Sequence, residues 1–310
     1  MINPGWKRVF HFGVMPLCGV TSIRRINLLQ NGISHQHVLS YNPQKIARNS
    51  KLWDMRVYYY ENELEDEFSE AKITAKKIDG TYQYSQDSLG RKLLHFICYN
   101  LIAKPVAWCF LKIKYRHKIV GREKIKALKG QGFFLYGNHT NAGADALIPT
   151  ILAHPTDVYV IVHPNNVSMP FFGKVTPYLG ALPLPDDKDA MKHFLEEIGK
   201  KITAKKCVMI YPEAHIWPYY TKIRPFKDSS FRYPVQYQCP VICFTNTYQK
   251  RKHSKKPQIV TYVDGPFYPD AKLRGKEQKA DLRNRIYEQM KERSSRNTLV
   301  LATYIKKGDV

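Results

Sequence analysis

Nowhere in these 310 residues is there an uninterrupted apolar run of the roughly 20 residues that a membrane-spanning helix requires. The nearest, HFICYNLIAKPVAWCFLKI at 95–113, is broken at its middle by Lys104 and Pro105. A lysine at mid-membrane is costly, and a proline removes a helical hydrogen bond. The segment therefore predicts two short helices, either lying in a membrane interface with Tyr99 and Trp108 at headgroup level or paired in a protein core. Cysteine is scarce and scattered: Cys18, Cys98, Cys109, Cys207, Cys239 and Cys243 form no CxxC pair and no Cys/His cluster, so no metal site is expected. They read as reduced structural thiols of a cytoplasmic protein. No charged, apolar and small-residue series near the N-terminus reads as a secretory signal, and no internal repeat is visible. Acidic residues are few: 26 Asp and Glu stand against 49 Lys and Arg, for a net charge of +23. That excess predicts attraction to a polyanion, whether nucleic acid, anionic lipid or phosphorylated metabolite. No nucleic-acid motif accompanies it, so nucleic acid is not the expected partner.

What is present is the composition of a folded protein, 44% hydrophobic and 13% aromatic. Residues 1–54 are read as an N-terminal extension of unassigned structure, 55–129 as a segment carrying the interfacial helices, and 130–310 as the catalytic domain. The stretch 80–90 reads as a loop. From 131 onward short apolar runs alternate with helical ones. FFLYGNH (133–139), VYVIVH (158–163), CVMIYPE (207–213), VICFTNTY (241–248) and IVTYVDG (259–265) are strand-like. Met191, Phe194, Leu195, Ile198 and Ile202 recur at helical spacing, as do Leu282, Ile286 and Met290. This order predicts an α/β fold: a mixed, mostly parallel sheet flanked by helices, preceded by an N-terminal membrane-interface helical segment.

The segment GNHTNAGAD (137–145) lies where a strand gives way to a helix, a place where such folds present side chains to substrate. A histidine there can accept a proton near neutral pH, and an Asp on its other ring nitrogen fixes the tautomer and stabilises the imidazolium. At hydrogen-bonding distance that attraction is about 4 kcal/mol for an effective dielectric of about 20. His139 and Asp145 are thus candidates for activating an alcohol toward an acyl carbonyl.

This block, NH followed at short range by Asp, resembles the signature of the glycerol-3-phosphate and 1-acylglycerol-3-phosphate acyltransferase family, the lysophospholipid acyltransferases. PFFGKVTPYLGALPLP (170–185), YPE (211–213), RPFKDSSF (224–231) and CPVICF (239–244) resemble its later blocks, in the same order. The resemblance covers less than half of the chain. It implies His139 as general base and Asp145 as its orienting partner. Glu213 and Pro212 would form part of the acceptor pocket, with Arg224, Lys227, Lys174 and Gly173 as further substrate-binding candidates. It also implies acyl-CoA or acyl carrier protein as donor, a lysophospholipid as acceptor and a membrane lipid surface as partner. No metal or tightly bound cofactor is needed. The expected location is the cytoplasmic face of a membrane, peripheral or monotopic.

Three departures bear on those expectations. Five residues separate His139 from Asp145 where the family has four, so the pairing calls for a looped-out residue, with Asn141 or Gly143 tolerating the left-handed backbone. Ile216 stands where the family carries a phosphate-binding arginine, and Arg224 is the expected substitute, with Lys174 and Lys227 in reserve. The second block ends in Leu184-Pro185-Asp186-Asp187, where a basic residue is common. Acylation of a different lipid or sugar alcohol, or a catalytically inactive lipid-binding relative, are the alternatives these departures raise. His215 reads as structural, and Trp217, Tyr219 and Tyr220 as either groove lining or packing. KRKHSKK (250–256) reads as a solvated loop, with anionic-lipid contact as its functional alternative.

Overall fold

The computed structural model describes residues 55–68, 73–85 and 87–309. The expected extension 1–54, with Cys18, lies outside the described residues. In chain order the elements are β1 (Arg56–Tyr60), α1 (Leu89–Tyr115), β2 (Lys118–Val120), α2 (Glu123–Lys126), β3 (Phe133–Gly137), α3 (Ala142–Asp145), α4 (Ile148–Ala153), β4 (Val158–Val162) and α5 (Asn165–Ser168). There follow β5 (Ala181–Pro183), α6 (Lys188–Thr203), β6 (Cys207–Ile210), α7 (Arg232–Tyr237), β7 (Val241–Arg251), β8 (Ser254–Phe267), α8 (Gly275–Ser294) and β9 (Ala302–Lys306).

Seven strands form one sheet in the order β2-β8-β7-β3-β6-β4-β5. Every neighbouring pair is parallel except the β7/β8 hairpin. β3 (FFLYG), β4 (VYVIV) and β6 (CVMI) are apolar along their length because both faces are covered. Phe134 and Tyr136 of β3 pack into one layer with Phe194 and Ile198 of α6 and Leu282, Ile286 and Met290 of α8. Phe133 and Leu135 point the other way, toward Leu111 and Tyr115 of α1 and Ile148 and Leu152 of α4. Each such side chain contributes about 1.5–3 kcal/mol by leaving water. The mixed, mostly parallel sheet with flanking helices is therefore the observed fold.

One expectation changes. Residues 95–113 are not two short helices: they belong to one continuous helix of 27 residues, long and apolar enough to cross a membrane by length and composition. A π-helical stretch, Phe96–Ala103, makes this possible, with the Lys104 amide donating to the Tyr99 carbonyl. Pro105 then falls in the first turn of the α-helical stretch that follows, where its missing N–H is least costly. Lys104 does not face outward either. Its ammonium donates to Asn100 Oδ1 (2.6 Å), the Pro155 carbonyl (3.2 Å) and Asp157 Oδ1 (3.0 Å). Burial would raise the Asp157 pKa, but His95, Lys206 and Lys104 outweigh it and hold the carboxyl well below the usual range. With the charge tucked under the helix, its outer face is left apolar: Leu89, Leu93, Phe96, Leu101, Val106 and Ile113 are all exposed.

The sheet also begins upstream of residue 130, because β2 pairs in parallel with β8. The basic run 250–256 is the tip of the β7/β8 hairpin, turning at Lys252 and His253. A second, two-stranded parallel sheet joins β1 to β9, at opposite ends of the described chain. An aromatic cluster seats it on the segment after β6: Trp217 stacks on Tyr304 (4.6 Å) and meets Tyr60 (4.8 Å) and Phe68 (5.3 Å). Trp217 is a packing residue.

Candidate active site

β3 delivers the chain to the carboxyl edge of the sheet through Gly137, where the Phe244 ring occupies the space a Cβ would need. Two residues on, His139 Nδ1 donates to Asp145 Oδ2 at 2.9 Å. The same oxygen accepts the backbone amides of Thr140 and Asn141, both at 2.8 Å, and Oδ1 accepts Asn246 Nδ2 at 3.2 Å. Four donors converging on one carboxylate fix its orientation, and with it the imidazole tautomer. Nε2 is then the basic atom.

The extra residue between His139 and Asp145 is absorbed without the expected left-handed bulge. Asn141 is extended (φ −153°, ψ 99°) and caps α3, its Oδ1 accepting the Ala144 amide at 3.0 Å. The helix starts only after the cap, so residues 140–141 cross from strand to helix with their amides aimed at Asp145. Gly143 sits inside the helix.

His139 also does not line an open cleft: it is 0% exposed. The Tyr211 ring lies almost flat against it, centroids 4.4 Å apart, and the Tyr211 hydroxyl donates to the Asp145 carbonyl at 2.7 Å. Amides of Trp217 and Tyr219 bond the His139 and Thr140 carbonyls, and Tyr115 of α1 donates to Asn141 Oδ1 at 3.2 Å. In this arrangement the imidazole is closed off from solvent.

Asn246, Asn138, Thr261 and His117 escaped sequence reading. Asn138 and Asn246 exchange hydrogen bonds between β3 and β7, amide of 246 to Oδ1 (2.7 Å) and Nδ2 to carbonyl of 246 (3.1 Å). Thr261 donates to Asn246 Oδ1 at 2.6 Å, and His117 Nε2 lies 2.7 Å from the Thr261 hydroxyl. A buried chain thus runs from His117 through Thr261 and Asn246 to Asp145 and His139. The asparagine after Gly137 was visible in the sequence, but its partner lies 108 residues away.

Burial, with a smaller push from Lys112, lowers the His117 pKa from 6.5 to about 4. The folded state keeps this ring neutral while the unfolded state takes up a proton below pH 6.5. The stabilisation is therefore complete above pH 6.5 and is lost as pH falls toward 4, by up to about 3 kcal/mol. Urea midpoints from pH 7 to 4.5 should drop less in His117→Gln than in the wild type. Parallel curves would mean that His117 does not carry this acid sensitivity.

The other candidates separate into two groups. Glu213 is a buried brace, Oε2 accepting the His139 amide (2.9 Å) and Oε1 the Arg224 amide (3.0 Å). Burial pushes its pKa up against the pull of Arg224. Arg224 differs from expectation: its guanidinium is turned inward, donating to the carbonyls of Glu63 (3.1 Å), Glu213 (3.2 Å) and His215. It also faces the Trp217 ring at 4.9 Å. A group so committed presents no fork to a ligand. Pro212 and the exposed Lys227 share a small depression beside Glu213. Gly173 is buried, the Val167 carbonyl lying 2.6 Å from where its Cβ would be, while Lys174 is exposed next to it. His215 Nδ1 meets Glu67 Oε2 at 3.2 Å, a structural contact. Among the described residues no group of three or more His, Cys, Asp and Glu side chains could hold a metal ion.

Residues 116–246 match the family model described as Acyltransferase, a stretch running from the end of α1 to Asn246. The matched stretch contains His139, Asp145 and Glu213, and also Arg224. A similar solved structure is the 1-acyl-sn-glycerophosphate (LPA) acyltransferase PlsC from Thermotoga maritima, 17% identical, with a TM-score of 0.46 over 67% of this chain and 81% of that one. No curated protein sequence matches the chain.

Proposed function

We propose that this chain transfers a fatty acyl group from acyl-CoA or acyl carrier protein to the free hydroxyl of a lysophospholipid, most simply 1-acylglycerol-3-phosphate giving phosphatidic acid. The carrying observation is the His139–Asp145 pair, its carboxylate held by three further donors at the carboxyl edge of the sheet, within the stretch that matches the Acyltransferase model. His139 Nε2 takes the hydroxyl proton as the oxygen attacks the thioester carbonyl. The C–S bond then breaks, and the departing sulfur receives the proton back from the imidazolium. Asp145 stabilises the cation between the two transfers. The depression shared by Pro212, Glu213 and Lys227 is the acceptor-side candidate in this reading. A second reading, acylation of another lipid or sugar alcohol, is favoured by Ile216 and by the inward Arg224. Incubation with acyl-CoA and a panel of lysolipids, with the product weighed by mass spectrometry, separates the two. A product from lysophosphatidic acid supports the first reading. Product from other acceptors alone supports the second, and none from any acceptor contradicts both.

The same reading places the enzyme on a membrane, on the cytoplasmic face. Its support is the exposed apolar side of α1, the exposed Phe171 and Phe172, and the basic residues Lys112, Lys114 and Arg116 at the end of that helix. Large apolar side chains each contribute up to about 1.5–3 kcal/mol on leaving water. Leu101→Asp with Val106→Asp is therefore expected to weaken vesicle binding by about a hundredfold or more, with high salt releasing the wild type only in part. Flotation with anionic vesicles checks this. A wild type that stays in the soluble fraction at low salt, or a double variant that floats equally well, contradicts it.

A further inference from the structure

A second cavity lies on the same edge of the sheet, away from the His139 pair. It measures about 230 Å³ and is lined by Lys76, Lys77, His163, Pro164 and the turn after β5, with Asp186. The registers place it. β3 and β4 both pair with β6 in parallel, Phe133 and Val158 each opposite Cys207, and β5 follows with Pro183 opposite Val162. Continued to the strand ends, these registers set His139, His163 and Leu184 at nearly one level. His163 is two strand spacings from His139, about 10 Å. In open α/β sheets the crevice beyond the carboxyl ends of the strands is where ligands bind.

The two lysines come from residues 73–79, upstream of the stretch that matches the Acyltransferase model, and that segment is tied down on both sides of them. The Lys76 amide donates to Ser168 Oγ at 2.7 Å. The Ile78 amide donates to Asp186 Oδ2 at 2.7 Å, the Asp186 amide returns to the Ile78 carbonyl at 2.9 Å, and the Ile78 side chain is buried in the core. The acidic group in the cavity thus has one oxygen turned to a backbone amide. Both lysines are exposed, and the charge of Lys77 also reaches the Asp79 carboxyl, whose pKa it helps to lower.

We propose that this cavity binds a phosphate group of a substrate, with Lys76 and Lys77 as the cations that hold it. Two lysines at the mouth of a cavity make a phosphate site of the point-charge kind, and His163 adds a ring able to donate. In a reaction run by His139, one source is the phosphate of the acceptor headgroup. The other is the diphosphate of coenzyme A, whose thioester would then reach along the strand ends. The inference rests on the proposed acyl transfer for the identity of the ligand, and not for the existence of the site.

Calorimetric titration of the full chain with sn-glycerol 3-phosphate and, separately, with coenzyme A tests it without any turnover. The wild type should bind at least one, the first marking an acceptor site and the second a donor site. Lys76→Ala with Lys77→Ala should weaken that binding about tenfold or more, and Lys76→Arg with Lys77→Arg should keep it. Neither probe binding to the wild type, or equal binding to the alanine variant, overturns the site. Binding that follows this pattern in a protein showing no acyl transfer would leave the site standing and remove the proposed reaction.

Discussion

Arg224→Ala is expected to unfold the protein more readily than to weaken the binding of any substrate. The guanidinium is 1% exposed and joins three carbonyls from both sides of the segment that covers His139, with Glu213 Oε2 3.8 Å away. Burial disfavours the charge on both partners, raising the Glu213 pKa and lowering that of Arg224, while each charge opposes the shift of the other. Removing the arginine side chain leaves the buried Glu213 carboxylate without its counter-charge and three carbonyls without their donor. Breaking a buried pair in this way typically costs about 3–5 kcal/mol. Urea denaturation should show that loss, and Glu213→Gln in the same chain should recover part of it. An alanine variant of unchanged stability, with a KM raised only for a phosphate-bearing lysolipid, would return Arg224 to the phosphate contact expected from its sequence position.

His139→Asn is expected to lower acyl transfer by about 10²- to 10⁴-fold, the usual contribution of a positioned general base. Asparagine is the better test than alanine, because the imidazole is fully buried against Tyr211 and alanine would leave a cavity there. Asp145→Asn should keep more activity. The new amide oxygen can still accept from His139, Thr140 and Asn141, but its NH₂ would meet the Asn246 donor and the imidazolium would lose its counter-charge. Circular dichroism and the urea midpoint separate folding from chemistry in each variant. Turnover at the wild-type rate in folded His139→Asn would remove the histidine from the reaction.

The sheet was legible because its central strands, read as apolar runs between turn signals, must bury both faces, and the order of strand and helix then leaves few topologies. The His139–Asp145 pairing was legible from the motif, but its geometry was not. An N-cap with two amides turned to the carboxylate is a backbone arrangement that residue spacing alone does not specify. The continuity of α1 was hidden for a related reason: Lys104 and Pro105 read as breakers until the charge finds Asp157, 53 positions on, and the proline finds a π turn before it. Arg224 misled because a cation beside a loop motif reads as a ligand contact, whereas its partners are backbone carbonyls that no side-chain pattern reveals. Asn246 and the β1/β9 pair were beyond reach, since each depends on contacts across about a hundred residues or more.

The central claim is acyl transfer by the His139 pair, and the most direct measurement follows free thiol and acylated lipid together. Purified wild-type protein on anionic vesicles, given acyl-CoA and 1-acylglycerol-3-phosphate, should release thiol and form phosphatidic acid in equal amounts, and folded His139→Asn protein should do neither at a comparable rate. Thiol release without acylated lipid would make the protein a thioesterase, and equal rates from the two proteins would place the chemistry elsewhere.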